Sequence, residues 1–166
     1  MFVKTLNAGQ ICLSPDYIMI KKGLEEKLIA ELQEVFKTFY PESNAGDYTS
    51  MVNDHHHQRM HDYLQDAKDK GAKIINLGEF DSSENNIVTT KVLLNVNDDM
   101  RVMKEEIFGP LLPVMVYEEL SEAVDYVNQH DHPLGLYFFG NKKSEQNFVI
   151  NNCLLYTSDA ADDLRC

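Results

Sequence analysis

Leu111-Leu112-Pro113-Val114-Met115-Val116-Tyr117 reads as a β-strand, and the residues after it decide the fold. Leu120, Ala123, Val124 and Val127 recur at helical spacing, so an amphipathic helix follows that strand directly. Leu134 to Phe139 is then a nearly uninterrupted apolar run, as expected of a strand covered on both faces. Strand, helix, strand is the unit from which parallel sheets are built. Pro113 has no N–H for a ladder, which suggests that one side of its strand is an edge or is irregular.

The same alternation runs outward from this stretch. Leu24, Leu28, Leu32, Val35, Phe36 and Phe39, with glutamates between them, predict a helix from about Gly23 to Tyr40 stopped by Pro41. The polar loop Glu42 to Asp47 follows. A second helix is expected from Asp54, read as its cap, to Lys70, with Met60, Leu64 and Ala67 inward and Gly71 ending it. Lys73 to Leu77 reads as a short strand, and Asn86 to Val96 contains another, rich in β-branched residues. A last helix starts near Asn141 and ends around Asn151. The expected class is α/β, a mostly parallel sheet with flanking helices, with no internal repeat or dividing linker.

At 166 residues the chain can bury a real core. Its 43% hydrophobic and 25% charged residues suit a soluble globular domain. A net charge of -12 with no basic cluster argues against a nucleic-acid-binding face. No apolar stretch approaches the ~20 residues that span a bilayer, and Phe2 to Leu6 is too short for the core of a signal peptide. Cys12, Cys153 and Cys166 are an odd set without repeated spacing, so no disulfide framework is expected and a reducing cytoplasm is the default.

Two stretches carry chemistry. Asn7-Ala8-Gly9-Gln10-Ile11-Cys12 places one cysteine in a turn-rich loop just ahead of the apolar run Tyr17-Ile18-Met19-Ile20. Catalytic thiols are often held this way, on a platform at a strand edge rather than inside the core. The bland alternative is a buried, inert thiol. The second stretch is Glu105-Glu106-Ile107-Phe108-Gly109-Pro110, which taken alone is a solvated acidic pair before a Gly-Pro turn.

Together they resemble the two signatures of the aldehyde dehydrogenase superfamily. The nucleophile motif Phe-x-x-x-x-Asn-x-Gly-Gln-x-Cys is matched by Phe2, Asn7, Gly9, Gln10 and Cys12, and Glu-Glu-Ile-Phe-Gly-Pro by Glu105 to Pro110. The resemblance implies that the Cys12 thiolate attacks an aldehyde carbonyl, with the Cys12 backbone N–H forming half of an oxyanion hole. It implies that Glu106 accepts the nicotinamide-ribose hydroxyls of NAD or NADP and that Phe108 packs beside the nicotinamide. Tyr48 to Asp54, Asn97 to Met100 and His132 to Tyr137 are similar to the branch containing coniferyl aldehyde dehydrogenases and related fatty and aromatic aldehyde dehydrogenases. There the nucleophile loop commonly continues Ala-Pro-Asp-Tyr, which here is Ser14-Pro15-Asp16-Tyr17.

The resemblance covers residues 1–152, expected as a partial catalytic domain. Residues 153–166 resemble translated adapter read-through and are expected to be a non-native tail. The family's general-base glutamate, oxyanion asparagine and dinucleotide phosphate site are expected outside this chain, so the chain alone is expected to be inactive. The intact enzyme is expected to be a homo-oligomer acting on a small aldehyde. Alternatives are a CoA-acylating or semialdehyde dehydrogenase relative, and a non-catalytic module for subunit contacts. His55-His56-His57 with His61 invites a metal reading. No Cys or acidic partner stands at a convincing spacing, so a solvated helix face is expected instead. Tyr137-Phe138-Phe139 is expected to be core strand.

Overall fold

The computed structural model of the chain describes residues 1–41, 46–82 and 85–155. Its elements are α1 (Phe2–Thr5), β1 (Ile18–Lys21), α2 (Glu25–Phe39), α3 (Asp54–Asp69), β2 (Lys73–Asn76), β3 (Lys91–Leu94), α4 (Arg101–Lys104), β4 (Leu111–Tyr117), α5 (Leu120–Gln129) and α6 (Lys143–Asn152). They form two compact units, Met1–Val116 and Tyr117–Cys166. Most of the expected polar loop at Glu42 to Asp47 and most of the expected tail lie outside the described residues.

The first unit holds a four-stranded sheet in the order β1-β4-β3-β2. It is the mixed, mostly parallel α/β sheet with flanking helices that the alternation predicts. β3 runs parallel to β4, and β2 runs antiparallel to β3. Pro113 does not put β4 at an edge, because β4 lies between β1 and β3. Instead the β3–β4 register, from Lys91 opposite Leu111 to Leu93 opposite Pro113, closes at the proline. A residue without an N–H fits where the ladder ends.

Val92, Leu93, Leu111, Leu112 and Val114 from the two central strands are buried, against Leu32 and Phe36 of α2 and Met60, Tyr63, Leu64 and Ala67 of α3. These helical residues fall on one stripe, which is why both amphipathic segments become helices here. Phe36, Tyr48 and Phe80 pack with ring centroids 5.3–6.1 Å apart, Phe36 stacked on Phe80 and Tyr48 edge-on to Phe80. The α3 cap is Asn53 rather than Asp54: its side chain accepts from the His56 N–H, one of the donors a helix start leaves unpaired. Gly71 follows the helix at φ +95, the left-handed turn that favours glycine.

In the second unit α5 buries Ala123, Val124 and Val127, and Asn128 ties α5 to the end of α6 by donating to the Asn152 carbonyl. The expected strand from Leu134 to Phe139 does not form. Leu134 and Tyr137 are half exposed and Phe139 is 90% exposed, so Tyr137-Phe138-Phe139 is not core strand either. Apolar content permits a strand, but only a neighbouring strand makes one. No helix among the described residues is long and apolar enough to cross a membrane.

Candidate active site

The cysteine loop owes its shape to three successive left-handed residues, Asn7 at φ 51, Ala8 at φ 53 and Gly9 at φ 73. Left-handed backbone is unfavourable for residues with a Cβ, so the surroundings must hold it in place. Asn7 donates from Nδ2 to the Gln10 carbonyl at 3.2 Å, and Gln10 returns a bond from Nε2 to the Asn7 carbonyl at 3.0 Å. The Gln10 amide also donates to the Ser50 carbonyl at 3.1 Å and accepts from the Val52 N–H at 2.9 Å. One side chain thus joins the loop to the segment entering α3. Cys12 lies just beyond this clamp and is exposed, so it is not a buried thiol.

The Glu105 to Pro110 segment meets this loop backbone to backbone. A Cβ on Gly9 would lie 2.3 Å from the Gly109 carbonyl oxygen, so only glycine permits the approach. Farther along, the Asp16 carboxylate accepts from the Ile107 N–H at 3.3 Å. From the other side, Arg59 of α3 donates to the carbonyls of Glu106 and of Ile107, the latter at 3.2 Å. Ile107 is fully buried, and its neighbours Glu106 and Phe108 are exposed and half-buried respectively. Phe108 itself is left-handed at φ 44. The Glu106 side chain makes no hydrogen bond or ion pair to another described residue, which leaves two acceptor oxygens at the surface.

Beneath the loop, Lys4 is only 1% exposed and donates from Nζ to the Pro15 carbonyl at 2.9 Å. Burial lowers its pKa to about 8, with the Asp16 charge pulling it back up. Burial raises the Asp16 carboxyl; Lys4 and the Ile107 N–H oppose the rise, Glu106 adds to it, and Arg59 opposes it. Arg59 and Arg101 both lie over the Tyr63 ring, 4.9 and 5.2 Å from its centroid, and the Tyr63 hydroxyl donates to Glu105 at 2.8 Å. This packing fixes Arg59 and the base of the Glu105 turn together.

The histidine run divides. His57 is buried on the α3 stripe, so it is not part of a solvated face, whereas His61 is exposed. Their Nε2 atoms are 3.3 Å apart, and burial followed by the His61 charge lowers the His57 pKa. Among the described residues no group of three or more His, Cys, Asp or Glu side chains could hold a metal ion.

The model of the aldehyde dehydrogenase family matches residues 1–154. The chain belongs to the aldehyde dehydrogenase family. A probable coniferyl aldehyde dehydrogenase of Pseudomonas aeruginosa is 44% identical over 151 residues, covering 90% of this chain and 31% of its own. The dimeric NADP-preferring aldehyde dehydrogenase of Rattus norvegicus is 34% identical, over 93% of this chain and 32% of its own. Among solved structures, the substrate-bound AldH of Staphylococcus aureus superposes with a TM-score of 0.84 at 32% identity, covering 92% of this chain and 33% of that one. The chain therefore spans about a third of the length of the relatives it matches. NAD or NADP is the cofactor of this family, whose members here include NAD-bound structures and NADP-preferring enzymes.

Arg59 and Lys4 are residues of the site that sequence reasoning did not single out, and Asp16 enters there only within the stretch Ser14-Pro15-Asp16-Tyr17, with no role of its own. Arg59 acts on backbone carbonyls, which leave no side-chain signature. Lys4 and Asp16 offer one faint signal: a lysine and an aspartate framing the cysteine loop on either side.

Proposed function

We propose that this chain is the nucleophile-bearing part of the catalytic domain of an NAD(P)-dependent aldehyde dehydrogenase acting on aromatic aldehydes such as coniferyl aldehyde, or on aliphatic ones. The observation that carries the reading is the contact between its two signature loops. Gly9 packs on Gly109, and Asp16 bonds Ile107, so the segment bearing Cys12 and the segment bearing Glu106 and Phe108 share one platform. The similarity to coniferyl aldehyde dehydrogenases at 40–44% identity supports the aromatic substrate class.

In this reading the Cys12 thiolate attacks the aldehyde carbon, and the carbonyl π electrons move to oxygen to give a thiohemiacetal anion. The Cys12 N–H is one donor for that oxygen. The nicotinamide supplies a hydride acceptor, leaving a thioester on Cys12 that water cleaves to the acid and the free thiol. Glu106 offers two carboxylate oxygens to a vicinal diol, and Phe108 restricts the ring beside it. The base that activates the water and the second oxyanion donor are assigned to parts of the enzyme beyond this segment. A cytoplasmic homo-oligomer is the expected setting, and residues 153–166 are assigned to a non-native tail.

The test uses a full-length enzyme carrying this segment, assayed for NAD(P)H formation at 340 nm with coniferyl aldehyde and with hexanal. Cys12→Ser should abolish turnover while leaving cofactor binding intact. Undiminished oxidation by that variant would overturn the assignment.

A further inference from the structure

We infer that Asp16 and Lys4 form a positioning pair that holds the nucleophile loop and the Glu106 to Phe108 segment in fixed register. This rests on the aldehyde dehydrogenase reading above and gives Asp16 and Lys4 a role which that reading does not assign. Both side chains act through bonds to backbone groups.

Three observations converge on it. Asp16 stands four residues beyond Cys12, and its Oδ1 accepts the N–H of Ile107, the residue between Glu106 and Phe108. Lys4, on α1 before the loop, reaches under it to the carbonyl of Pro15, the residue next to Asp16. Lys4 as a whole is 1% exposed, a costly place for a cation unless something there requires it. A leucine or methionine would fill such a space without that penalty. What an ammonium offers there is a donor to the Pro15 carbonyl, beside Asp16 in the chain, and a positive charge within electrostatic reach of the Asp16 carboxylate. Arg59 grips the Glu106 and Ile107 carbonyls from the α3 side, so the peptide units around Ile107 are held from two directions. Small displacements in such segments matter because reacting atoms must meet within ångströms.

The pair makes a distinctive forecast. Losing the Asp16 bond frees the cofactor-facing segment, so the effect falls on dinucleotide affinity more than on aldehyde affinity. The experiment measures KM for NAD(P) and for aldehyde, kcat, NADH binding by fluorescence, and Tm, in a full-length enzyme carrying the segment. Asp16→Ala should raise KM and Kd for the dinucleotide at least 10-fold with aldehyde KM within 2-fold. Asp16→Asn keeps an acceptor oxygen and should restore most of the affinity. Asp16→Glu keeps the charge but displaces the oxygen by a methylene, and should show the dinucleotide defect with little loss of Tm; it serves if Asp16→Ala does not fold. Lys4→Met should reproduce part of the defect and add little to Asp16→Ala in the double variant. If Asp16→Ala and Asp16→Glu both lower Tm yet bind dinucleotide as the parent does, the pair is a structural brace and the inference is overturned. If the parent itself neither binds dinucleotide nor oxidises aldehydes, the reading beneath it fails instead.

Discussion

Replacing Gly9 by alanine attacks the contact on which the site is built. Two costs follow from the geometry. Gly9 is at φ +73, and forcing a residue with a Cβ into left-handed backbone costs ~1–2 kcal/mol. The new Cβ would also meet the Gly109 carbonyl oxygen at 2.3 Å and its carbon at 2.8 Å, backbone atoms that cannot rotate away. Overpacking of that kind costs ~1–3 kcal/mol. The sum, about 3 kcal/mol, is a large part of the ~5–15 kcal/mol that holds a typical domain together. With a urea slope of about 2 kcal/mol/M, the midpoint should fall by roughly 1.5 M. Gly23→Ala is the control. Its φ is +88 but nothing lies within 4 Å of the added carbon, so only the backbone cost remains, about 0.5 M in midpoint. Gly109→Ala should fall between them, since the atom its Cβ meets is the flexible Met60 sulfur at 2.4 Å. Equal shifts for Gly9→Ala and Gly23→Ala would refute the backbone contact.

Lys4 should give the fold an unusual alkaline dependence. Its folded pKa of about 8 lies below the ~10.4 of an unfolded lysine, so between these values the unfolded chain binds the extra proton. Stability should therefore rise as pH goes from 8 to 10, by about 3 kcal/mol at most. Urea titrations should show that rise in the parent and its loss in Lys4→Met. Ser14→Ala should be neutral or stabilising by up to ~1 kcal/mol, because the Ser14 hydroxyl is buried with no hydrogen-bond partner among the described residues; a Tm drop of several degrees would contradict this. Cys12, being exposed, should alkylate with iodoacetamide ahead of half-buried Cys153, with Cys12→Ser removing the faster phase in a peptide-resolved time course.

How much was legible in the sequence differs between elements for physical reasons. α2, α3 and α5 were plain because a helix announces itself by its own apolar stripe. β4 was equally plain, yet its central position was not, since partner order depends on the whole sheet. The run Leu134 to Phe139 shows the limit: apolar residues state a preference for burial but not what will cover them. His57 was misplaced on a solvated face although it stands three residues before Met60, on the buried stripe of α3. At the site, Cys12, Glu106 and Phe108 were identifiable as residue types in a pattern. That their loops touch was not, because the contact is made by two glycines and by main-chain groups, which carry no chemistry a reader would notice.

The Gly9–Gly109 contact also sets what substitution can do to this chain over time. Most packed pairs can drift, one side growing as the other shrinks. Here Gly9 has no atom to give up and meets a carbonyl that every residue carries, so no side-chain change at position 109 can compensate, and Gly9 is frozen independently of any catalytic role. Anyone reshaping this site would have to leave Gly9 alone and seek room elsewhere.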